Sequence, residues 1–287
     1  MNANDATPHD DPEALKATVR EGWTVKSGAW NRWAEQLAEL AARLNEPLIA
    51  TAEVAPGHEV LDLASGIGEP ALTTARRVAP GGRVTASDLV PEMLAGAKRR
   101  AAEAGIDNMR FEIADMEALP FDDASFDRVM CRFGIMFCPR AERALVEARR
   151  VLRPGGRAAF MVWGPREDNT LFDVVQTVAP DFVPAPPFAG ELTPFRFGAA
   201  GSLAEALRAA GFSEVEEHEL RFTPTPPASG PFWRQNLEMS FGTLLDALSS
   251  DERAALDAAL ERAFAPYLDG DVYRLVAHTR IGTGKAA

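Results

Sequence analysis

A glycine turn between an apolar strand and a helix constrains this chain more than any other feature. Residues 59–70 read EVLDLASGIGEP, so Gly66 and Gly68 follow a short apolar strand directly. A second strand, 83–87, ends at Asp88, which lies 22 residues after Gly66. Glycines at such a turn let the backbone approach a ligand closely. An acid about 20 residues later can accept hydrogen bonds from both ribose hydroxyls. The pattern therefore predicts a βαβ unit that binds a nucleoside.

The charges around the turn indicate which nucleoside this is. The dinucleotide fingerprint G-x-G-x-x-G leaves a helix N-terminus free to hold a pyrophosphate, but here Gly68 is followed by Glu69, Pro70 and Ala71. Glu69 places a negative charge where a diphosphate would lie, and Asp62 adds a carboxylate on the preceding strand. Two acids suit a cationic ligand, and S-adenosylmethionine is a phosphate-free nucleoside that carries a sulfonium and an ammonium group.

Three later segments carry a family resemblance. Residues 111–121 read FEIADMEALPF, residues 126–137 read FDRVMCRFGIMF, and residues 144–163 read ALVEARRVLRPGGRAAFMVW. The order A-D-x-x-x-L-P-F, S-F-D and R-V-L-R-P-G-G resembles class I S-adenosylmethionine-dependent methyltransferases, especially the group of ubiquinone and menaquinone C-methyltransferases. The resemblance covers residues 45–163 and, more loosely, the chain up to 221. The family's third turn glycine is replaced by Glu69-Pro70, which is tolerable because proline suits a first helical turn.

The order of the predicted elements agrees with the fold that this resemblance implies. Alternating strands and helices predict a parallel sheet covered on both faces, here a Rossmann-like, doubly wound, mostly parallel seven-stranded α/β sheet. The strands are predicted at 59–63, 83–87, 109–113, 126–131, 157–163, 213–222 and 272–280, with helices at 69–79, 91–104, 140–152 and 202–210.

The segments outside this core predict a cover for the strand ends. Residues 12–45 are expected to form an N-terminal arm of two or three helices, broken at Gly22 and Gly28. Residues 180–198 are rich in Pro and Phe and predict a loop or lid. The remaining divisions are a disordered tail at 1–11, a methyltransferase core at 46–222, a helical cap insertion at 223–270 with helices at 232–248 and 251–265, and a final strand with the C-terminus at 271–287.

The resemblance implies a set of donor-binding residues. Asp62 corresponds to the acid that contacts the amino group of the methionine part, Asp88 to the ribose acceptor, and Asp115 to the acceptor of the adenine amino group. Each aspartate also has a purely structural interpretation, as a turn or loop cap or as the N-cap of the helix that begins at Pro91. The predicted donor site comprises Asp62, Ala64, Gly66, Gly68, Asp88, Leu89, Met93, Asp115, Met116 and Arg132.

The predicted acceptor pocket is aromatic and apolar. Similar methyltransferases read S-F-G-L-R-N after the fourth strand, whereas this chain reads C-R-F-G-I-M-F, so the arginine moves ahead of the Phe-Gly pair. Arg132 can therefore pair with the donor carboxylate or form a structural ion pair. Tryptophans near a sulfonium can attract it, although the arm tryptophans can equally serve packing alone. The candidate pocket residues are Trp30, Trp33, Phe133, Met136, Phe137 and Trp233.

The composition argues against several classes of partner and cofactor. With 30 Lys and Arg against 42 Asp and Glu, the net charge of −12 argues against a nucleic-acid acceptor. No run of 18 apolar residues predicts a membrane span, and the acidic N-terminus lacks a secretory pattern, so a cytoplasmic protein is expected. Cys131 and Cys138 form neither a disulfide framework nor a metal set, and no His and Asp cluster has the spacing of metal ligands. No general base is identified, and nothing in the sequence indicates an oligomeric state.

Together these features predict methyl transfer from S-adenosylmethionine to a small aromatic or apolar acceptor, on oxygen or carbon, with S-adenosylhomocysteine as the product. Three alternatives stay open. They are an NAD(P)-dependent oxidoreductase on a related sheet, a nucleic-acid methyltransferase, and a module that binds the donor without catalysis.

Overall fold

The computed structural model describes residues 11–184 and 192–287, with the backbone alone for 37–40. Residues 1–10 of the predicted disordered tail, and residues 185–191 of the predicted lid, lie outside the described residues.

The strands are β1 Glu59–Leu63, β2 Arg83–Asp88, β3 Met109–Ile113, β4 Phe126–Arg132, β5 Leu152–Trp163, β6 Ser213–Phe222, β7 Leu268–Asp269, β8 Val272–Tyr273 and β9 Ala277–Lys285. The α-helices are α1 Pro12–Arg32, α2 Ala34–Thr51, α3 Ala71–Val78, α4 Pro91–Glu103, α5 Ala141–Val151, α6 Thr170–Val178, α7 Ser202–Ala209, α8 Trp233–Phe241 and α9 Ser250–Phe264.

Seven of these strands form one sheet, in the order β3-β2-β1-β4-β5-β9-β6. The strands β1 to β5 are parallel, whereas β9 runs antiparallel to both of its neighbours, β5 and β6. The predicted Rossmann-like, mostly parallel seven-stranded fold is confirmed. Because parallel strands end at the same edge, the segments after β1, β2, β3 and β4 meet there.

Side-chain alternation along β1 separates two apolar cores. Leu61 and Leu63 belong to one core together with α5 and α7 residues such as Leu145 and Leu203. Val60, on the opposite face, packs in a second core with residues of α2, α3 and α4. Successive strand residues point to opposite faces, so Asp62 lies on the α2 and α3 side of the sheet.

The N-terminal arm is less broken than the sequence predicts. Helix α1 runs unbroken through Gly22 and Gly28, and the chain bends at Trp33 before α2 begins. The prediction that these glycines end helices is wrong, because a glycine inside a helix costs only about 1 kcal/mol and tertiary contacts to α4 and α8 hold α1 in place. The Asp11 side chain caps the first turn by accepting from the Glu13 N–H at 3.0 Å. Helix α2 continues across the predicted arm boundary at 45.

The last strand lies five residues later than predicted. β9 covers 277–285 instead of 272–280, and Val272–Tyr273 pairs with Leu268–Asp269 in a separate two-stranded ladder. Two glycines interrupt the apolar pattern of this strand, so the sequence does not predict its full extent. A Cβ on Gly282 would lie 2.7 Å from Leu203, and one on Gly284 would lie 2.7 Å from Phe212. These glycines let the C-terminal strand pack closely against its covering side chains.

The helical cap draws on more of the chain than the predicted insertion. Its apolar core joins α6, α8 and α9 through Val175, Trp233 and Phe264, together with Tyr273 and Leu275. The prediction missed α6, and the helix predicted over 232–248 becomes α8 followed by a 3-10 segment at Gly242–Ala247. None of the described helices combines the length and apolarity that crossing a bilayer requires.

Candidate active site

The glycine turn after β1 has the backbone shape of a ligand cradle. Ala64, Gly66 and Gly68 all have positive φ angles, of 51°, 53° and 108°. A Cβ on Gly68 would come within 2.9 Å of Leu72, whereas one on Gly66 would meet nothing within 4 Å. Gly68 therefore serves close packing of α3, and Gly66 leaves open space where a side chain would lie.

Asp62 is a fully buried carboxylate directly before this turn. Neither carboxylate oxygen accepts a hydrogen bond from any residue that the structure describes. The Ser65 hydroxyl donates to the Asp62 backbone carbonyl, at 2.8 Å. Burial raises the pKa of Asp62 to about 7. A buried ionisable group without partners is costly, so its place beside an open turn points to a cationic ligand.

Asp88 is hydrogen-bonded to the turn as well as to its own loop. Its carboxylate accepts the Gly66 N–H at 2.8 Å and the Val90 N–H at 2.9 Å. Burial raises the pKa of Asp88, although these backbone N–H groups oppose the shift. Asp88 therefore fixes the glycine turn, and its remaining lone pairs are what a ribose would use. The adjacent Leu89 is half-buried.

The loop after β3 brings Asp115 into a charged cluster with the arm. Its Oδ1 accepts the Glu117 N–H at 2.9 Å, and its Oδ2 lies 2.6 Å from Lys16 Nζ on α1. Lys16 also lies 2.9 Å from Glu117, which pairs in addition with Arg140 at 2.7 Å. Although burial alone would raise it, these partners lower the pKa of Glu117 to about 2. The cluster ties α1 to the edge where the sequence predicts the adenine; Met116, the next residue of this loop, is half-buried.

Arg132 lies at the end of β4, near the turn. Its guanidinium donates to the Glu69 carbonyl at 3.1 Å and lies 5.9 Å from the centre of the Phe133 ring, while its Nε has no hydrogen-bond partner among the described residues. The Glu69 side chain is itself engaged by Asn45 at 2.8 Å and lies 3.8 Å from Arg100. The negative charge of Glu69 is therefore partly compensated, whereas the carboxylate of Asp62 accepts no hydrogen bond from a described residue.

Aromatic side chains line both sides of this edge. On α1, Trp30 packs with Ile67 and Met93 of the donor side and makes an edge contact with Trp23, at 5.8 Å between ring centres. Trp23 in turn contacts Phe137 at 5.2 Å. After β4 and β5, Phe133 stacks on Trp163 with ring centres 4.2 Å apart. Trp30 thus packs beside the glycine turn and Phe137 beside α1, and their place in an acceptor pocket stays a prediction, as does that of Phe133.

Three predicted pocket residues lie elsewhere in the fold. Met136 is fully buried in the core beneath α5, and Trp233 is buried inside the cap, where its indole donates to Asp257 at 2.9 Å. Trp33 lies where α1 meets α8 and donates to Glu238 at 2.9 Å. The pocket assignment does not suit Met136, because apolar packing encloses its side chain. Trp233 lines a cavity of about 670 Å³ with Asp257 and Tyr273, and no residue of the glycine turn lines that cavity.

The sequence reading missed several charged residues at this edge. Lys16 and Lys26 lie on the arm, which carries no family motif, and Glu117 and Arg140 were passed over. Glu117 is inside the A-D-x-x-x-L-P-F phrase, so an acid directly following Asp115-Met116 was the available signal. No group of His, Cys, Asp and Glu in the described part of the chain has the arrangement of a metal site.

Comparisons with known sequences define the family. A methyltransferase domain model matches residues 60–156. The chain is 32% identical to the nocamycin O-methyltransferase of Saccharothrix syringae, over 75% of this chain and 80% of that enzyme. It is 39% identical to the demethylmenaquinone methyltransferase of Thermus thermophilus, over 63% of this chain and 76% of that enzyme. The chain therefore belongs to the S-adenosylmethionine-dependent methyltransferases, as its motifs predict.

Other matches are shorter or concern the fold. The chain is 39% identical to an uncharacterised protein of Mycobacterium tuberculosis, but the match spans only 55% of the length of either protein. A putative methyltransferase of Bacillus halodurans has the same fold, with a TM-score of 0.56 and 22% identity over 84% of this chain and 98% of that chain.

The geometry fits the family's cosubstrate, S-adenosylmethionine. Asp62 offers a buried carboxylate with no described hydrogen-bond donor, and Gly66 leaves room for a ligand atom where any other residue would place a Cβ. The buried Nε1 of Trp30 likewise has no hydrogen-bond partner among the described residues.

Proposed function

We propose that this chain transfers the methyl group of S-adenosylmethionine to a small aromatic or apolar metabolite, on oxygen or carbon. The observation that carries the proposal is the buried Asp62 carboxylate, which accepts no hydrogen bond from a described residue, beside the open Gly66 turn. A sulfonium ligand with an ammonium group would supply the opposite charge that this carboxylate lacks.

Each predicted donor residue has a role in this proposal. Asp62 holds the ammonium group, Arg132 the carboxylate, Asp88 the ribose hydroxyls and Asp115 the adenine amino group. Smaller contacts complete the site: Ala64, Gly66 and Gly68 permit close approach of the backbone, and Leu89, Met93 and Met116 form its walls.

In this reaction the main contribution of the protein is to position the donor and the acceptor. S-Adenosylmethionine supplies an already activated methyl group. In-line SN2 transfer requires an acceptor atom about 3 Å from the methyl carbon, aligned and shielded from water. In this proposal, the arm aromatics Trp23 and Trp30 and the stacked pair Phe133 and Trp163 shield the reaction from water.

The acceptor class is supported by the aromatic lining and by the relatives. One relative is an O-methyltransferase named for nocamycin, and another is named for demethylmenaquinone. Both names point to small organic acceptors. A nucleic-acid acceptor fits the net charge of −12 poorly.

Calorimetry with S-adenosylhomocysteine tests the donor site. We expect Asp88→Ala to weaken binding at least tenfold, because a lost acceptor costs roughly 1–3 kcal/mol. The exposed Asp107 provides a matched control, Asp107→Ala, that should bind like the wild type. Unchanged affinity in Asp88→Ala removes this residue from the site, and binding of NADH but not of S-adenosylhomocysteine favours the oxidoreductase alternative. A screen of phenols, quinols and amines for release of S-adenosylhomocysteine tests turnover.

A further inference from the structure

The cap helix α8 carries a buried amide whose carbonyl oxygen has no partner among the described residues. Asn236 is only 6% exposed, and no group in the described part of the chain donates a hydrogen bond to its Oδ1. Leaving a buried acceptor unsatisfied costs folding free energy, whereas an apolar side chain of similar shape at the same place would not. The amide therefore lowers the stability of the free protein, as groups kept for binding commonly do.

Two sides of α8 are occupied by packing against other helices. One side belongs to the apolar cap core that α8 shares with α6 and α9. Its residues are Trp233, Leu237 and Phe241. Another side meets the arm, where Glu238 accepts hydrogen bonds from Arg32 and Trp33. These contacts fix the rotation of α8 about its own axis.

Asn236 lies on the inward side of this helix. Successive residues of a helix turn by about 100°, so residues two positions apart lie on nearly opposite sides. Arg234, two positions before Asn236, is the only exposed residue of α8. Met239 and Ser240 follow Asn236 at spacings of three and four residues, so they share its side of the helix, and both are half-buried. This inward side lies between the side that packs in the cap core and the side that meets the arm.

The helices on either side of α8 both reach the edge where the donor is predicted to bind. On α6, Phe172 contacts Trp163 at the end of β5, with 4.9 Å between the ring centres. On α1, Trp30 packs on Ile67 of the glycine turn. Because α8 packs against both α1 and α6, we expect its inward side to face the same edge, with the Asn236 amide opposite an aromatic lining.

We propose that Asn236 binds a hydroxyl group of the acceptor and thereby selects phenolic or enolic metabolites. This inference rests on the proposed function and narrows its acceptor class. An amide offers a carbonyl acceptor and N–H donors, and a hydroxyl group both donates and accepts, so the two groups match. A buried amide that must pair with its ligand strongly rejects an analogue without the hydroxyl group, because the amide then stays unpaired.

A pair of aromatic probes tests this selection without turnover. With S-adenosylhomocysteine present, we expect the wild type to bind 2-naphthol at least tenfold more tightly than naphthalene, as measured by equilibrium dialysis. Asn236→Leu should bind 2-naphthol at least tenfold more weakly and naphthalene no more weakly, so that the preference disappears. Gln235→Leu, at the half-buried amide one position earlier in α8, is the matched control and should keep the preference.

Stability and turnover separate a binding amide from a structural one. Asn236→Leu should keep its affinity for S-adenosylhomocysteine, melt at no lower temperature than the wild type, and raise the KM for a hydroxyl acceptor at least tenfold. The assignment is overturned if the wild type binds the two probes equally or binds neither, if Asn236→Leu keeps the preference, or if Gln235→Leu loses it as well. A lower melting temperature in Asn236→Leu also overturns it, because the amide would then be structural. If the wild type methylates none of the acceptors, the proposed function fails, while the two probes still decide whether Asn236 binds a hydroxyl group.

Discussion

The glycine turn after β1 and the loop after β3 each bury a carboxylate, but they treat its charge in opposite ways. Glu117 is surrounded by donors: Lys16, the Arg140 side chain and the Arg140 backbone N–H all contact it. Asp62 is equally buried, and its carboxylate accepts no hydrogen bond from a described residue. The pKa values differ accordingly, at about 2 for Glu117 and about 7 for Asp62.

This contrast is what we expect between a structural anchor and the donor site that we propose. The Glu117 cluster fastens the arm to the sheet and is complete without a ligand. When ionised, the Asp62 carboxylate carries a burial cost that a cationic ligand would offset. Burial alone therefore identifies neither role, and the presence or absence of partners distinguishes them.

The largest expected effect comes from breaking the anchor. Glu117→Gln should lower the free energy of unfolding by about 3 kcal/mol, because it leaves Lys16 and Arg140 without the charge they share. Urea unfolding at neutral pH measures this, with Glu142→Gln, at an exposed residue of α5, as the control. A loss as small as that of the control would show that the cluster does not hold the arm.

Asp62→Asn should have the opposite pattern. Removing a buried charge without partners should leave the protein as stable as wild type or more so at pH 8, while binding of S-adenosylhomocysteine weakens by about 2 kcal/mol, roughly thirtyfold. Calorimetry and urea unfolding are compared with Asp107→Asn, an exposed control. Strong destabilisation with unchanged affinity would make Asp62 an anchor like Glu117.

The smallest effect is the pH dependence of donor binding. Because the pKa of Asp62 in the free protein is raised to about 7, this carboxyl is mostly protonated at pH 6 and must ionise to pair with the ligand ammonium. Binding should therefore release protons below pH 7, and affinity should rise by up to about tenfold per pH unit until it levels off above pH 7. Calorimetry in buffers of different ionisation enthalpy measures the release, which should vanish in Asp62→Asn. If Asp62→Asn still releases protons on binding, the protons come from another group.

The same ionisation sets an opposing trend for stability. A carboxyl whose pKa is raised by folding makes the native state less stable as pH rises from about 4 to about 7. A carboxyl whose pKa is lowered, such as Glu117, stabilises the fold above its unfolded value, and that stability is lost as pH falls toward about 2.

The sheet and its edge could largely be predicted from local patterns. Strands β1 to β4 and β6 appear within a residue or two of their predicted limits, because alternating apolar residues and turn glycines act over short distances. The predicted position of the last strand was wrong because Gly282 and Gly284 interrupt its apolar pattern. Glycine is required at both positions because a side chain there would collide with Leu203 of α7 or with Phe212. The prediction of helix ends at Gly22 and Gly28 was wrong because tertiary contacts of α1, which the local sequence does not show, outweigh the low helix propensity of glycine.

The donor-side residues were easier to name than the acceptor-side residues for a similar reason. Asp62, Asp88 and Asp115 lie at strand ends within family phrases, so their spacing alone indicates a shared edge. Trp233 and Trp30 look alike in sequence, yet one packs the cap interior and the other packs beside the glycine turn.

By itself, the sequence determined the parallel sheet, the glycine turn and the cationic nucleoside that suits it, because each depends on residues close together in the chain. Only the tertiary structure decided which buried charges are paired. Lys16, for example, meets Asp115 across 99 residues. Such pairings depend on distances between elements, and local residue patterns do not encode them.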